Sequence, residues 1–462
     1  MASGQSTLPM TDSTSPSAYL CHPVSQGLSG ETRVPGDKSI SHRALMFGCL
    51  AQGITTVTGL LEAADVHATE RAMIALGGQL IRKDETLTIH GSGPLGLRSA
   101  STPLDMGNSG TAMRLLAGLL AGQRIGATLT GDQSLSGRPM GRIIRPLREM
   151  GVKIEAADGD CAPLVISPSE KLSGLVFEMP VASAQLKSCL LLAGLGCKGE
   201  VRLREPAPSR DHTETLLRAY GVEIQRQVDE TGHWLTMAGD QSLMGPVNID
   251  VPGDFSSAAF FLVAASIVPN SDVVLRNVGT NPVRTGLLTL LRSMGADISE
   301  LNPRQSGGEQ VADLRVRYAP LSGVDVDPAL VPLMIDEFPV LFVAAALSKG
   351  ITRVRGAQEL RVKESDRIGV MATGLRALGA KVTESQDGLE IEGVAQLRGA
   401  TVHGHHDHRC AMSFCIAALR ANGPVRVNSV ENVATSFPSF RTTLESLGGQ
   451  IALAVNEKSP LP

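Results

Sequence analysis

Two kinds of segment recur along this chain in strict alternation, and that repetition limits the available folds more than any single motif does. The first kind opens on small or polar residues and runs into an apolar, helix-like stretch. It reads GDKSISHRALMFGCLAQG from Gly36, GNSGTAMRLLAGLLAG from Gly107 and SAQLKSCLLLAGLGC from Ser183. It returns as GDFSSAAFFLVAASIV from Gly253, DEFPVLFVAAALSKG from Asp336 and HDHRCAMSFCIAAL from His406. The copies are spaced by about 70 to 85 residues, a true internal period. The second kind reads as a helix stopped by glycine and followed by a strand: IALGGQLI at Gly77, LREMGVKI at Gly151, LRAYGVEI at Gly221, LRSMGADI at Gly295, LRALGAKV at Gly379 and LESLGGQI at Gly448. Glycine after the last helical turn supplies the left-handed cap, and the alternating β-branched residues beyond it predict a strand. One or two such matches could arise by chance among Gly/Ala/Leu helices, but twelve in alternation predict six units of roughly βαβαββ. Three units per core give an α/β protein of two similar globular domains.

The 462 residues are too many for one ordinary core, which agrees with that division. Hydrophobic residues make up 42% and aromatics only 3%, so the cores must be aliphatic and base-stacking platforms for nucleic acid are excluded. A net charge of −4 offers no global attraction to nucleic acid or an anionic membrane, so any anion site is local. Seven cysteines at irregular spacings, without a C-x-x-C pair, read as reduced thiols in a cytosolic protein. Residues 1–18 are polar and Ser/Thr-rich and read as a disordered tail, not a secretory signal, and 456–462 read as a second tail. No run of eighteen apolar residues predicts a membrane span.

Function shows at the helix starts. A helix N-terminus carries partial positive charge and unpaired N–H groups, so it favours acids over cations. Here Lys38, Arg43, Arg114 and Arg409 lie in the first turns of the first kind of helix, with Arg138, Arg210, Lys363 and Arg367 at starts of the second kind. Any one of these is ordinarily a solvated charge. Eight at equivalent repeat positions predict an anion held at converging helix N-termini. The cluster HGHHDHR from His403 invites a metal reading, but it lacks a second ligand pair at zinc-site spacing. No G-x-G-x-x-G at a strand–helix junction and no G-x-x-x-x-G-K-[ST] implies a nucleotide cofactor.

GDKSISHR, GNSGTAMR, RPMGR, SAQLKS, SRDHTE, DEFP, RVKESDR and DHRCAM resemble, in order, the signatures of the 5-enolpyruvylshikimate-3-phosphate synthase family, over about Gly30 to Gly449. The resemblance implies two domains of inverted repeats, 19–36 with 254–455 and 37–253, with the active site in the cleft between them. It implies transfer of the enolpyruvyl group of phosphoenolpyruvate to the 5-hydroxyl of shikimate 3-phosphate, by a cytoplasmic monomer without cofactor, metal, nucleic-acid or membrane partner. On this resemblance Lys38 reaches phosphoenolpyruvate, while Ser39 and Arg43 hold the shikimate carboxylate. Ser183, Arg210 and Lys363 serve shikimate 3-phosphate, and Gln185 lies against its ring and near phosphoenolpyruvate. Arg138, Arg367, His408 and Arg409 grip phosphoenolpyruvate, with Asn108 and Gly110 beside them. Gly110 is the small residue that lets the inhibitor glyphosate fit. Asp336 and Glu364, with Lys38, are the implied acid–base groups. The methylene carbon must gain a proton as the hydroxyl attacks, and must lose one as phosphate leaves.

Taken alone, Asp336 could be an N-cap, Glu364 a helix-start acid pairing with Arg367 at i+3, and Ser183 and Asn108 further caps. Three positions depart from the commoner family pattern. Thr435 stands where many relatives have lysine, Ala184 replaces a serine, and Arg210 replaces a lysine; together they match a second branch of the family. Two rivals remain at this level. A UDP-N-acetylglucosamine enolpyruvyl transferase would carry Lys-Asn where this chain has Lys38-Ser39, and a cysteine within Gln133 to Gly137. A non-catalytic phosphometabolite binder would bind anions better without Asp336 and Glu364.

Overall fold

The computed structural model describes residues 18–230 and 232–454. The expected tails fall outside these residues, except that Ala18 already opens the strand Ala18–His22. The unit from Leu104 shows the repeat in full. Strand Leu104–Asp105 leads to helix Gly110–Gly122, strand Ala127–Thr130, helix Gly141–Glu149 and the strands Lys153–Ala157 and Cys161–Ser167. Ala127–Thr130 runs parallel to the leading strand and antiparallel to Cys161–Ser167, with Lys153–Ala157 outermost. The parallel pair requires a crossover, which the buried helix provides, while the antiparallel pair closes locally.

Five of the six sheets have four strands in this pattern and one has three. In the three-stranded sheet two isolated bridges, Ser322 with Lys349 and Asp325 with Arg353, mark the place of the leading strand, so the fifth unit falls short of the expected βαβαββ. The leading strands of two units are exchanged. Ser29–Thr32 pairs with Asp272–Gly279, and Val247–Asp250 pairs with Gln52–Thr58. The chain therefore passes between the two halves twice, and the passages touch where Gly36 bridges Gly253.

Buried apolar side chains form two clusters, one from Tyr19–Val34 with residues 255–451 and one from residues 40–251. Each is built around three helices of the first repeated kind: Lys38–Leu50, Gly110–Gly122 and Ala184–Gly194 in one, Phe255–Ile267, Phe338–Ala346 and His408–Ala418 in the other. Every residue of Phe255–Ile267 is buried, including its three serines, Ser256, Ser257 and Ser266, in an otherwise apolar sequence. All six glycine stops, Gly77, Gly151, Gly221, Gly295, Gly379 and Gly448, have positive φ, as the left-handed cap requires.

Candidate active site

The starts of the buried helices face one cavity of about 530 Å³ whose lining comes from both halves of the chain. The helices Lys38–Leu50, Gly110–Gly122, Ala184–Gly194 and His408–Ala418 start at side-chain caps. Asp37 accepts from Ile40 N at 2.9 Å, Ser109 from Ala112 N at 3.2 Å, Ser183 from Leu186 N at 3.4 Å, and Asp407 from Arg409 N at 2.9 Å. Each cap satisfies one of the four backbone donors that a helix start leaves open, or two at Asp407. Asp336 is not a cap. Glu337 occupies that position before Phe338–Ala346 and makes no side-chain capping bond, so Asp336 is free to face a ring of cations.

Eight Lys and Arg side chains against five Asp and Glu line the cavity, a local excess of positive charge in a chain of net −4. Asp336 pairs with Arg210 across the cavity, with Arg367 Nη1 at 3.3 Å, and with Arg409 Nη2 at 3.8 Å. Glu364 Oε2 receives Arg367 Nη2 at 2.6 Å, the i+3 pair foreseen as its ordinary structural role. Burial opposes ionisation of both acids, but Arg210, Arg409, Lys363 and Arg367 outweigh it for Asp336 and hold that carboxyl well below its usual range. Arg367, with a smaller part from Arg138, does the same for Glu364. Both are therefore carboxylates at neutral pH, able to accept protons. Burial, with the charges of Arg409 and Lys38, pushes His408 down to about 3, so it is neutral. Asp254, also on the wall, is pushed up to about 6 by burial and by Asp37.

Of the residues singled out in the sequence, Lys38, Ser39, Asn108, Gly110, Arg138, Ser183, Gln185, Arg210, Asp336, Lys363, Glu364, His408 and Arg409 line this cavity. Arg43 and Arg367 do not. Arg43 is buried behind the wall, donating to Thr213 Oγ1 at 2.6 Å, Ser39 O at 2.8 Å and Ser188 Oγ at 2.7 Å. Three of its five N–H donors are engaged, and the one to Ser39 O ties it to the neighbouring residue on the wall. Arg367 is fully buried and joins Asp336, Glu364 and Asp407, the last at 2.8 Å through Nε. It aligns the acids from behind. Arg138 donates to Asn108 Oδ1 at 2.6 Å, and Lys363 to Glu359 Oε1 at 2.8 Å.

Arg142, Asp254 and Arg284 were passed over in the sequence, and Arg114 was given no role there beyond its charge, yet all four line the wall. Arg114 donates to Gln185 Oε1 at 3.0 Å, while Gln185 Nε2 donates to Thr111 at 2.9 Å, so the amide is held from both sides. A methyl group at Gly110 would lie 2.8 Å from Arg114 Nη1, which ties this glycine to the arginine's position. Arg114 was visible as a helix-start cation, and Asp254 in GDFS repeats Asp37 in GDKS. Arg284 precedes a second-kind helix, Gly286–Ser293, and the same repeat logic could have found it. Thr435 and Ala184, two of the departures, also lie on the wall.

Two halves of repeated α/β units make up a fold shared with a solved enolpyruvyl transferase. The enolpyruvyl transferase NikO from Streptomyces tendae matches it with a TM-score of 0.76 over 95% of this chain and 99% of its own, at 18% identity, a likeness of fold alone. Sequence goes further: this chain belongs to the EPSP synthase (3-phosphoshikimate 1-carboxyvinyltransferase) family, whose model matches residues 24–444. A 3-phosphoshikimate 1-carboxyvinyltransferase of Halorhodospira halophila is 54% identical over 91% of this chain and 94% of its own length. An EPSP synthase structure from Acinetobacter baumannii is 45% identical, with a TM-score of 0.85 over 94% of this chain and 99% of that one.

Proposed function

We infer that this protein transfers the enolpyruvyl group of phosphoenolpyruvate to the 5-hydroxyl of shikimate 3-phosphate, releasing phosphate. The observation that carries the reading is the convergence of Asp336, Glu364 and Lys38 on one cavity whose cations outnumber its acids. Both substrates carry a phosphate and a carboxylate, which that excess of arginine and lysine suits. Arg210, Ser183, Ser39 and Lys363 receive shikimate 3-phosphate, with Gln185 against its ring. Arg138, Arg409 and Lys38 receive phosphoenolpyruvate, with Asn108, Gly110 and His408 beside it, while Arg43 and Arg367 hold the wall from behind. Asp336 takes the hydroxyl proton as oxygen attacks C2. Lys38 and Glu364 manage the methyl proton, added at C3 to form the tetrahedral adduct and removed as the C–O bond to phosphate breaks. Arginines around the departing phosphate stabilise its growing charge. An anion binder without chemistry would gain from losing both acids.

Two separate apolar cores and the adjoining passages near Gly36 and Gly253 support a division into 19–36 with 254–455 and 37–253. Both walls of the cavity come from one chain, so a monomer suffices. Among the described residues no helix is long and apolar enough to cross a membrane, and the seven unpaired cysteines favour a cytosolic setting. The test is phosphate release by purified protein with phosphoenolpyruvate and shikimate 3-phosphate, and in parallel with UDP-N-acetylglucosamine as acceptor. Release only with shikimate 3-phosphate is expected. Release with the nucleotide sugar, or with neither acceptor, would refute the assignment.

A further inference from the structure

Lys38 opens a buried helix on one half of the molecule, yet one of its two hydrogen-bond partners belongs to the other half. Nζ donates to Asp65 Oδ2 at 3.1 Å, on the helix Ala64–Ala75 of the same core, and to Ser436 Oγ at 3.0 Å. Ser436 is held rigidly. It follows the turn Glu431–Thr435, its N–H bonds Val433 O at 3.2 Å, and the next residue, Phe437, is fully buried. The Phe437 ring meets Phe261 and Phe440 edge-on, at 5.9 and 5.6 Å between centroids. The hydroxyl's direction is constrained too. An ammonium can only donate, so Ser436 Oγ accepts from Lys38, and its own proton is free to go to His408 Nε2, 3.3 Å away. Burial and its cationic neighbours keep His408 neutral, so that nitrogen can accept.

We propose that Ser436 is a positioning residue for the transfer reaction, fixing the Lys38 ammonium against the cavity when the two halves are closed on one another. With Asp65 alone, Lys38 keeps a partner but loses the second direction that fixes a flexible four-carbon side chain. The chain His408–Ser436–Lys38 makes the lysine's placement depend on closure, because its ends lie on different cores. The proposal rests on the assignment of Lys38 to the chemistry, so the experiment separates the two.

Steady-state rates would be measured for Ser436→Ala, Ser436→Thr, Lys38→Met and the Ser436→Ala/Lys38→Met double variant, with melting temperatures alongside. Ser436→Ala is expected to lower kcat about tenfold, the loss of one charge-assisted hydrogen bond, with a smaller change in either KM and an unchanged melting temperature. Ser436→Thr, which keeps the hydroxyl, restores most of the rate. In the Lys38→Met background, itself slowed about 100-fold or more, removing Ser436 adds nothing, because the group it positions is gone. Wild-type kcat in Ser436→Ala beside a crippled Lys38→Met would overturn the role of Ser436 alone. So would a defect that threonine does not restore, a fall in melting temperature that accounts for the lost rate, or an additive double variant. Wild-type turnover in Lys38→Met would remove the role of the lysine, and that of Ser436 with it.

Discussion

Asp336 and Glu364 bring negative charge into a wall otherwise built to attract anions, and that electrostatic cost needs a reason. Each is held ionised by guanidinium groups, of which Arg367 touches both. Amide replacements keep their shape and remove the charge. Asp336→Asn and Glu364→Gln are each expected to cut kcat by about 100-fold or more. Affinity for inorganic phosphate should hold or rise, since a repulsive carboxylate has gone. Titration calorimetry with phosphate beside initial-rate measurements would separate the two effects. Near-wild-type kcat in both variants would remove the acids from the mechanism. Arg43 shows why the sequence did not fix every role. GDKSISHR puts it in the second turn of a helix, but which way it points depends on Thr213 and Ser188, from segments far along the chain.

The helices Gly110–Gly122 and Ala184–Gly194 approach so closely that side chains are excluded from their crossing. A Cβ at Gly118 would lie 2.1 Å from Cys189 O, and one at Gly122 would lie 2.3 Å from Leu192 O. These obstacles are backbone atoms, which cannot rotate away. Gly118→Ala is therefore expected to destabilise the protein despite alanine's better helix propensity, by about 1 to 3 kcal/mol or more as an overpacked core. Thermal melting would show it, and an unchanged or raised melting temperature would refute the close approach. At this scale the sequence was informative where the cause is local. Glycine stops and apolar helices depend on neighbours within a turn, so all six buried helices could be read. Of the caps considered only Ser183 is one, since Ser109 caps in place of Asn108 and Asp336 caps nothing. The exchange of leading strands could not, because nothing in SGET or VNID records that Ser29 pairs opposite Asp272 and Val247 opposite Thr55. Likewise, six of the cavity's eight cations announced themselves by their repeat positions, all but Arg142 and Arg284. Ser436, in an irregular turn, had no pattern to reveal it.

For the molecule as a whole, the question is what joins the two cores besides the paired chain passages. One answer is buried and titratable. His212 Nδ1 lies 2.8 Å from Glu309 Oε1, linking the helix His212–Ala219 of one core to the strand Glu309–Arg317 of the other. Asn281 Nδ2 reinforces the junction, donating to Asp211 Oδ1 at 2.7 Å and Glu309 Oε2 at 3.2 Å. Burial alone would lower the His212 pKa, but Glu309, with help from Asp37 and against Arg43, raises it above the ordinary 6.5. The folded state thus binds this proton more tightly than the unfolded chain does. Its stabilisation is complete below pH 6.5 and is lost as pH rises through the folded-state value. His212→Gln removes the charge while leaving a donor for Glu309, so the variant should melt below wild type at pH 6, by about 3 kcal/mol for a broken buried pair. The gap should narrow as pH is raised toward 9, because only wild type has that proton to lose. Melting curves of ligand-free protein at half-unit pH steps would decide it. A constant gap would show that the ring matters for its packing and not for its charge, and a gap that widens with pH would reverse the sign of the linkage altogether.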